Sequence, residues 1–416
     1  MTMHVSASLR ATGCAVAALI AAIGGQALAD PAPSYDSLVG QSDTAPLNLE
    51  AAALAEAAEA RVRQAGVRTN PELSLDIENA LGSGPFTGYG AAETTLSVSQ
   101  DLELFGRRRA RIDVARAEAG VAGLRRDAAG VEAASRLALA YAEAEAAQRR
   151  FALTEEMLSI TLADGRAALA LVEEGREPLV RGLQAESEVA AARAAYDEAQ
   201  AERDAAFARL TAVAMLVAPV TSIEDSLLDR APSSSGVTPS ETLGVQVAQA
   251  ERDVAEERIE VERVRALPDV TASVGFRRFE AEDATALTFG VSVPLPLFDR
   301  NRGNIDAAHA EFRAAEARVD QARQEAVADR AAAMARLAGS ASRVRAADGG
   351  VTAAEEAYRL TRIGFEAGRI SQLELRASRS ALIAARNAAI DARLARVRAE
   401  IDLARLDGRI PFGGSL

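Results

Sequence analysis

Lysine and tryptophan are absent from this 416-residue chain, and cysteine occurs once, at Cys14. Every basic side chain is therefore an arginine, and 47 basic residues face 60 acidic ones for a net charge of -13. That balance argues against a nucleic-acid partner, because phosphate recognition needs a basic face. One cysteine excludes a disulfide framework. The apolar positions of the long helical stretches are mostly alanine, which is too small to build a thick core. The apolar run Cys14–Ile23 falls short of the roughly 20 residues that a membrane helix needs. Preceded by Arg10 and followed by small residues at Ala27–Ala29, it reads as a secretory signal, residues 1–29. An exported chain without a spanning helix is either a soluble periplasmic or secreted protein, or a β-barrel of the outer-membrane type.

What the chain does contain is periodicity of two kinds. Leu73, Leu75 and Ile77 alternate with polar residues, as do Thr94, Leu96 and Val98 across a turn-rich loop at residues 82–90. The same two-residue period returns at Val270, Ala272, Val274 and Phe276 and at Leu287, Phe289, Val291 and Val293. Each pair of segments predicts a β-hairpin with one apolar face. Between and after them run long stretches of alanine, arginine and glutamate, which are strong helix formers. Glycine and proline interrupt these at "EEGREP" (Glu173–Pro178), and glycine alone at "FEAGRIS" (Phe365–Ser371). A helix of roughly 65 residues would be about 100 Å long, which no compact globule accommodates.

The two halves repeat. "DLELFGRRRARIDVARAE" at Asp101–Glu118 is echoed by "PLPLFDRNRGNIDAAHAE" at Pro294–Glu311. Phe105 and Phe298 are 193 positions apart, as are Gly175 and Gly368. The expected organisation is a first repeat at 30–217, a connector at 218–241 and a second repeat at 242–416. The β-hairpins fall at about 71–102 and 268–296, and the helical hairpins at about 107–213 and 303–406. Residues 30–46, polar and without periodicity, read as an extended arm or loop.

Four strands of about ten residues suit an outer-membrane barrel in length. They cannot close alone, because an open edge cannot sit in lipid. Two chains give eight strands with a filled interior, and three give twelve with room for a lumen. The junction "PLPLFDRNRG", the break "FEAGRISQLELRASRSALIAARNA" and the duplicated plan resemble the outer membrane efflux protein (TolC-like) family over essentially the whole mature chain. The second junction is most similar to the heavy-metal efflux branch. The resemblance implies a mainly α fold with a β-barrel part. In it, a homotrimer forms a 12-stranded outer-membrane barrel above a long periplasmic helical tunnel. It also implies a passive duct working with a periplasmic adaptor (membrane fusion protein) and an inner-membrane pump of the RND type.

No catalytic, cofactor-binding or metal-ligating set is expected, since His309 is the one histidine past the signal and stands alone. At the strand-to-helix junctions, Phe105 and Phe298 are expected to pack the corner. Asp299 is expected to cap the helix that starts near Gly303, with Gly106 as its weaker counterpart. Arg107–Arg109, Arg300 and Arg302 read either as a positive ring facing lipid head groups or the lumen, or as helix-start solubility. By the resemblance, Gly175, Arg176, Gly368 and Arg369 are adaptor-contact tips and Glu374 lines the periplasmic entrance. Type I secretion and multidrug efflux compete with metal efflux as the duct's task, and a soluble periplasmic coiled-coil scaffold is the rival of another class. Membrane fractionation separates these classes: a barrel should stay with the membrane through a carbonate wash and leave only with detergent, whereas a scaffold is released.

Overall fold

The computed structural model describes residues 31–231 and 242–413. The expected signal and the second part of the connector lie outside the described residues. The first repeat holds α1 (Tyr35–Val39), α2 (Pro46–Ala65), β1 (Glu72–Glu78), β2 (Glu93–Asp101), α3 (Arg107–Glu173) and α4 (Leu179–Val213). The second holds α5 (Leu243–Arg265), β3 (Thr271–Phe279), β4 (Ala284–Ser292), α6 (Arg302–Glu366) and α7 (Gln372–Leu406). Residues 31–46 are not an extended lead, because α1 forms there and Tyr35 is fully buried.

The four strands make one antiparallel sheet in the order β1-β2-β3-β4. Its register sets Leu73 against Val98, Val98 against Val274 and Val274 against Phe289. Leu75, Leu96, Phe276 and Leu287 form the next such row. The alternation of four separate segments is thus brought to one apolar face, and most of these large side chains are exposed in the single chain. The outer edges of β1 and β4 have no strand partner among the described residues.

Beyond the sheet the helices stand side by side in one layer. Next to the sheet, α3 packs on α2 and α5, and α5 packs on α6. Farther away the neighbours are α4, α3, α7 and α6. Small residues let these helices approach closely: a Cβ on Gly165 of α3 would lie 2.8 Å from Val189 Cγ2 of α4. At 67 residues, α3 is about 100 Å long. No helix among the described residues is long and apolar enough to cross a membrane, a statement that does not bear on a barrel.

The main core lies midway along α3, as a belt that gathers α1, the connector and the carboxy-terminal segment. Tyr35 donates to the Pro411 carbonyl at 2.6 Å, and Tyr141 donates to the Asp225 carbonyl at 3.0 Å. Burial raises the pKa of both phenols above the ordinary tyrosine value. The connector is pinned by Glu145, a buried carboxylate on α3. It accepts from the Leu227 and Leu228 backbone N–H groups, both at 2.9 Å, from the Ser226 hydroxyl at 2.7 Å and from Arg149 at 2.6 Å. Glu145→Ala leaves two backbone donors buried without this acceptor, and the cost should be about 3 kcal/mol. Denaturant unfolding of the detergent-solubilised protein measures it, and Glu145→Gln should recover part of the loss.

Candidate duct surfaces, junctions and tips

A sheet with one apolar face has the other available for water. That second face carries Glu72, Asp76 and Glu78 on β1, Glu93 and Asp101 on β2, and Arg277 on β3. Arg277 spans three strands: it contacts Glu93 at 3.0 Å, Glu78 at 3.3 Å and the Thr95 hydroxyl at 2.9 Å. Five carboxylates against one arginine make this face acidic. With the apolar face outward in lipid, the acidic face lines the interior.

Each junction ties the start of a long helix to the end of the short helix before it. In the first repeat, Arg111 donates to the Ala65 carbonyl at 2.9 Å and the Val67 carbonyl at 3.0 Å, where α2 ends. In the second, Asn301 donates to the Glu262 carbonyl at 2.8 Å near the end of α5. The expected cap needs correcting here. Asn301, at φ 55°, is the residue preceding α6, and Asp299 accepts the Asn301 N–H at 2.8 Å without reaching the helix's own donors. The helix begins at Arg302, one residue before Gly303. In the first repeat Gly106 does precede α3 directly, at φ 82° and with no side-chain cap. Neither phenylalanine packs its corner, since Phe105 and Phe298 are both exposed in the chain. Arg107 is engaged with Asp269 at 2.6 Å and with the Leu267 carbonyl, so it is not a free member of a positive ring.

At the far ends, Gly175 and Gly368 adopt φ 71° and 69°, a left-handed conformation in which glycine avoids a Cβ penalty. Gly175 N–H donates to Val172 and Arg176 N–H to Leu171, both at 2.9 Å. Gly368 and Arg369 repeat the pattern onto Phe365 and Gly364 at 2.9 and 2.8 Å. Two identical helix ends therefore present Arg176 and Arg369 to solvent. Leu179, Val180, Leu183 and Leu373 are also exposed at these tips. The signal that could have found them is four large apolar residues in stretches otherwise built of alanine and charge. Glu374 is exposed and occupied locally: with Ser371 it forms a capping box at the start of α7, accepting the Ser371 N–H at 2.9 Å. That backbone hydrogen bond, and a second from the Ser371 hydroxyl, hold its pKa below the usual glutamate value.

A row of arginines on α7 joins the two helical hairpins. Arg376 contacts Glu188 of α4, Arg379 reaches Asp164 of α3 at 2.6 Å, and Arg386 bridges Glu156 of α3 and Glu355 of α6 at 3.1 and 3.0 Å. In the reverse direction, Arg150 of α3 meets Asp391 of α7 at 2.5 Å. Arg379 and Arg376 are the more buried of the α7 arginines nearest the tip. His309 lies 3.4 Å from the Arg263 guanidinium, and no metal-binding group of side chains occurs among the described residues.

A two-faced sheet continued by a single-layer wall of long helices defines a membrane duct of the barrel-and-tunnel class. The sequence pattern of the outer membrane efflux protein family (OEP) matches residues 45–214 and 241–409, once per repeat, and the chain belongs to that family. It is an outer-membrane efflux channel with a TolC-like fold. It is 39% identical over 325 residues to the nickel-cobalt-cadmium resistance protein NccC of Alcaligenes xylosoxydans xylosoxydans, covering 77% of this chain and 74% of that one. It is 41% identical over 302 residues to the nickel and cobalt resistance protein CnrC of Cupriavidus metallidurans, covering 71% of each. The crystal structure of the open state of the MtrE outer membrane channel of Neisseria gonorrhoeae superposes with a TM-score of 0.76 at 21% identity, over 91% of this chain and 89% of that one.

Replacing Arg376 and Arg379 together by alanine removes the ion pairs of the α7 seam nearest the tips. Single-channel conductance in planar bilayers should rise severalfold while the helical content measured by circular dichroism stays unchanged. An unaltered conductance would mean that this seam does not restrain the tunnel.

Proposed function

We propose that the chain works as a homotrimeric export duct for divalent metal cations of the nickel and cobalt kind. In this reading, a periplasmic adaptor and an inner-membrane pump, of the RND type, supply the coupling and the energy. The observation that carries the assembly is the sheet itself. Its two free edges, its apolar outer face and its four strands call for closure by further copies in lipid, and twelve strands leave a lumen where eight would not.

Two observations support the cargo. The relatives at 39% and 41% identity are named as nickel, cobalt and cadmium resistance proteins. The barrel interior independently carries an excess of carboxylates, repeated in each copy, which favours cations and disfavours anions. At the periplasmic mouth, three copies of Glu374 would add a further acidic ring, kept ionised by the hydrogen bonds from Ser371. The arginine row on α7 fits a closed resting state that opens as the second hairpin shifts away from the first. The tips suit adaptor docking, because Arg176 and Arg369 are exposed beside the apolar patch of Leu179, Leu183 and Leu373.

Two measurements test this. Deleting the gene in its native host should raise sensitivity to nickel or cobalt but not to lipophilic drugs, and the wild-type chain should restore resistance; a drug-only phenotype would overturn the metal reading. Arg176→Glu combined with Arg369→Glu should lower adaptor cross-linking and metal export severalfold while leaving the trimer intact on native electrophoresis. Unchanged cross-linking and export would remove the tips from the docking site.

A further inference from the structure

The two β-hairpins are copies, yet they differ in charge at one place on the inner face of the sheet. In the first, Glu78 of β1 and Glu93 of β2 are direct cross-strand partners. In the second, the matching pair is Arg277 of β3 and Ala286 of β4. Glu78 and Arg277 are each the seventh residue of their strand, and Ala286 stands 193 positions after Glu93. The duplication has thus kept two carboxylates on one side and set a guanidinium beside them on the other.

Directly opposed side chains have Cβ atoms about 4.5–5.5 Å apart, so two carboxylates there repel each other. Arg277 lies one strand further on and leans across β2 to both of them. Its Nη1 contacts Glu93 at 3.0 Å, its Nη2 contacts Glu78 at 3.3 Å, and its Nε donates to the Thr95 hydroxyl at 2.9 Å. All three guanidinium nitrogens are engaged. Glu93 also accepts from the Asn79 side chain at 2.9 Å. Asp76 shares a row with Thr95 and Arg277, and it has no ion-pair partner among the described residues.

Position gives this cluster its meaning. Glu78, Glu93 and Arg277 lie beside the hairpin turns, at the end of the sheet away from the long helices. In the duct that end is the exit. A site in a conducting path must bind weakly enough to let go of what enters it. Carboxylate oxygens are ligands for divalent cations, so a pair of them left open at the exit would retain the cargo.

We propose that Arg277 is a specificity-determining residue, a built-in counter-ion that fills the place a divalent cation would take between Glu78 and Glu93. It leaves one negative charge per copy at this level instead of two, and the trimer carries a ring of three instead of six. Such a ring still favours cations over anions, but it offers no open carboxylate pair to hold them. Arginine suits the task, because its planar fork reaches two carboxylates and a hydroxyl together and does not lose its proton.

This inference rests on the trimeric-duct reading, and planar-bilayer recording tests the two separately. Recording at about 0.1 M salt leaves a screening length of about 10 Å, so the ring is felt. With nickel chloride added on the barrel side, Arg277→Gln should be blocked at a concentration about tenfold below that for wild type. Its potassium-to-chloride permeability ratio should rise as well. Arg277→Lys keeps the charge and should stay near wild type. Arg277→Gln combined with Glu93→Gln restores one charge per copy and should bring both readings back. A strut that serves folding alone predicts unchanged block and unchanged permeability ratio for an intact Arg277→Gln trimer, and that result overturns the proposal. So does Arg277→Lys behaving as Arg277→Gln does. Where Arg277→Gln does not assemble, Glu93→Gln alone decides: it leaves Glu78 and Arg277 as a neutral pair and should lower the permeability ratio severalfold, and an unchanged ratio overturns the proposal. A wild-type protein that inserts into bilayers without conducting overturns the duct reading itself.

Discussion

A backbone amide in hydrocarbon has no water to turn to, and this requirement governs the molecule more than any side chain does. Four strands satisfy their inner edges with each other and leave two edges open, which lipid does not tolerate. The short strands, the duplicated hairpin and the apolar face have stability in a membrane only as part of a ring. The large exposed leucines and phenylalanines of the sheet are therefore not flaws of an isolated fold. In the proposed assembly they are the surface that lipid and neighbouring copies would cover.

Below the membrane the solvent changes and so does the solution. Helices satisfy their own backbone, so a wall one helix thick stands in water provided its seams hold. Alanine and glycine make those seams narrow, and arginine ties them: α7 reaches the first hairpin through Arg376, Arg379 and Arg386. The absence of lysine fits this architecture. A planar guanidinium presents several donors to two carboxylates at once, as Arg386 does, where an ammonium would offer a point charge.

Much of this was legible in the residues because the signals were periodic and doubled. Alternation marked the strands, and equal spacing between Gly175 and Gly368 marked the helix ends. Chemistry that depends on a single backbone angle was not legible. Asp299 looks like a helix cap by residue type, but the left-handed turn at Asn301 moves the helix start past it. Phe298 looks like a corner filler, yet in the single chain it is almost fully exposed. Glu145 gave no sign at all, being one glutamate in a helix full of them; only folding brings the connector's amides to it from about 80 positions away.

The belt around Tyr35, Tyr141 and Glu145 sits near the middle of α3, where the short helices above and below it hand over to one another. Each long helix is in effect a beam held at a collar. A tilt of roughly 5° about that collar would carry a tip about 40 Å away through about 3 Å, by the rise of the helix alone. The same tilt would be absorbed above the collar, where the hydrogen-bonded strands of the sheet resist it. In the proposed duct, leverage of this kind would let a small displacement at the periplasmic end change the width of the passage without disturbing the seal in the membrane.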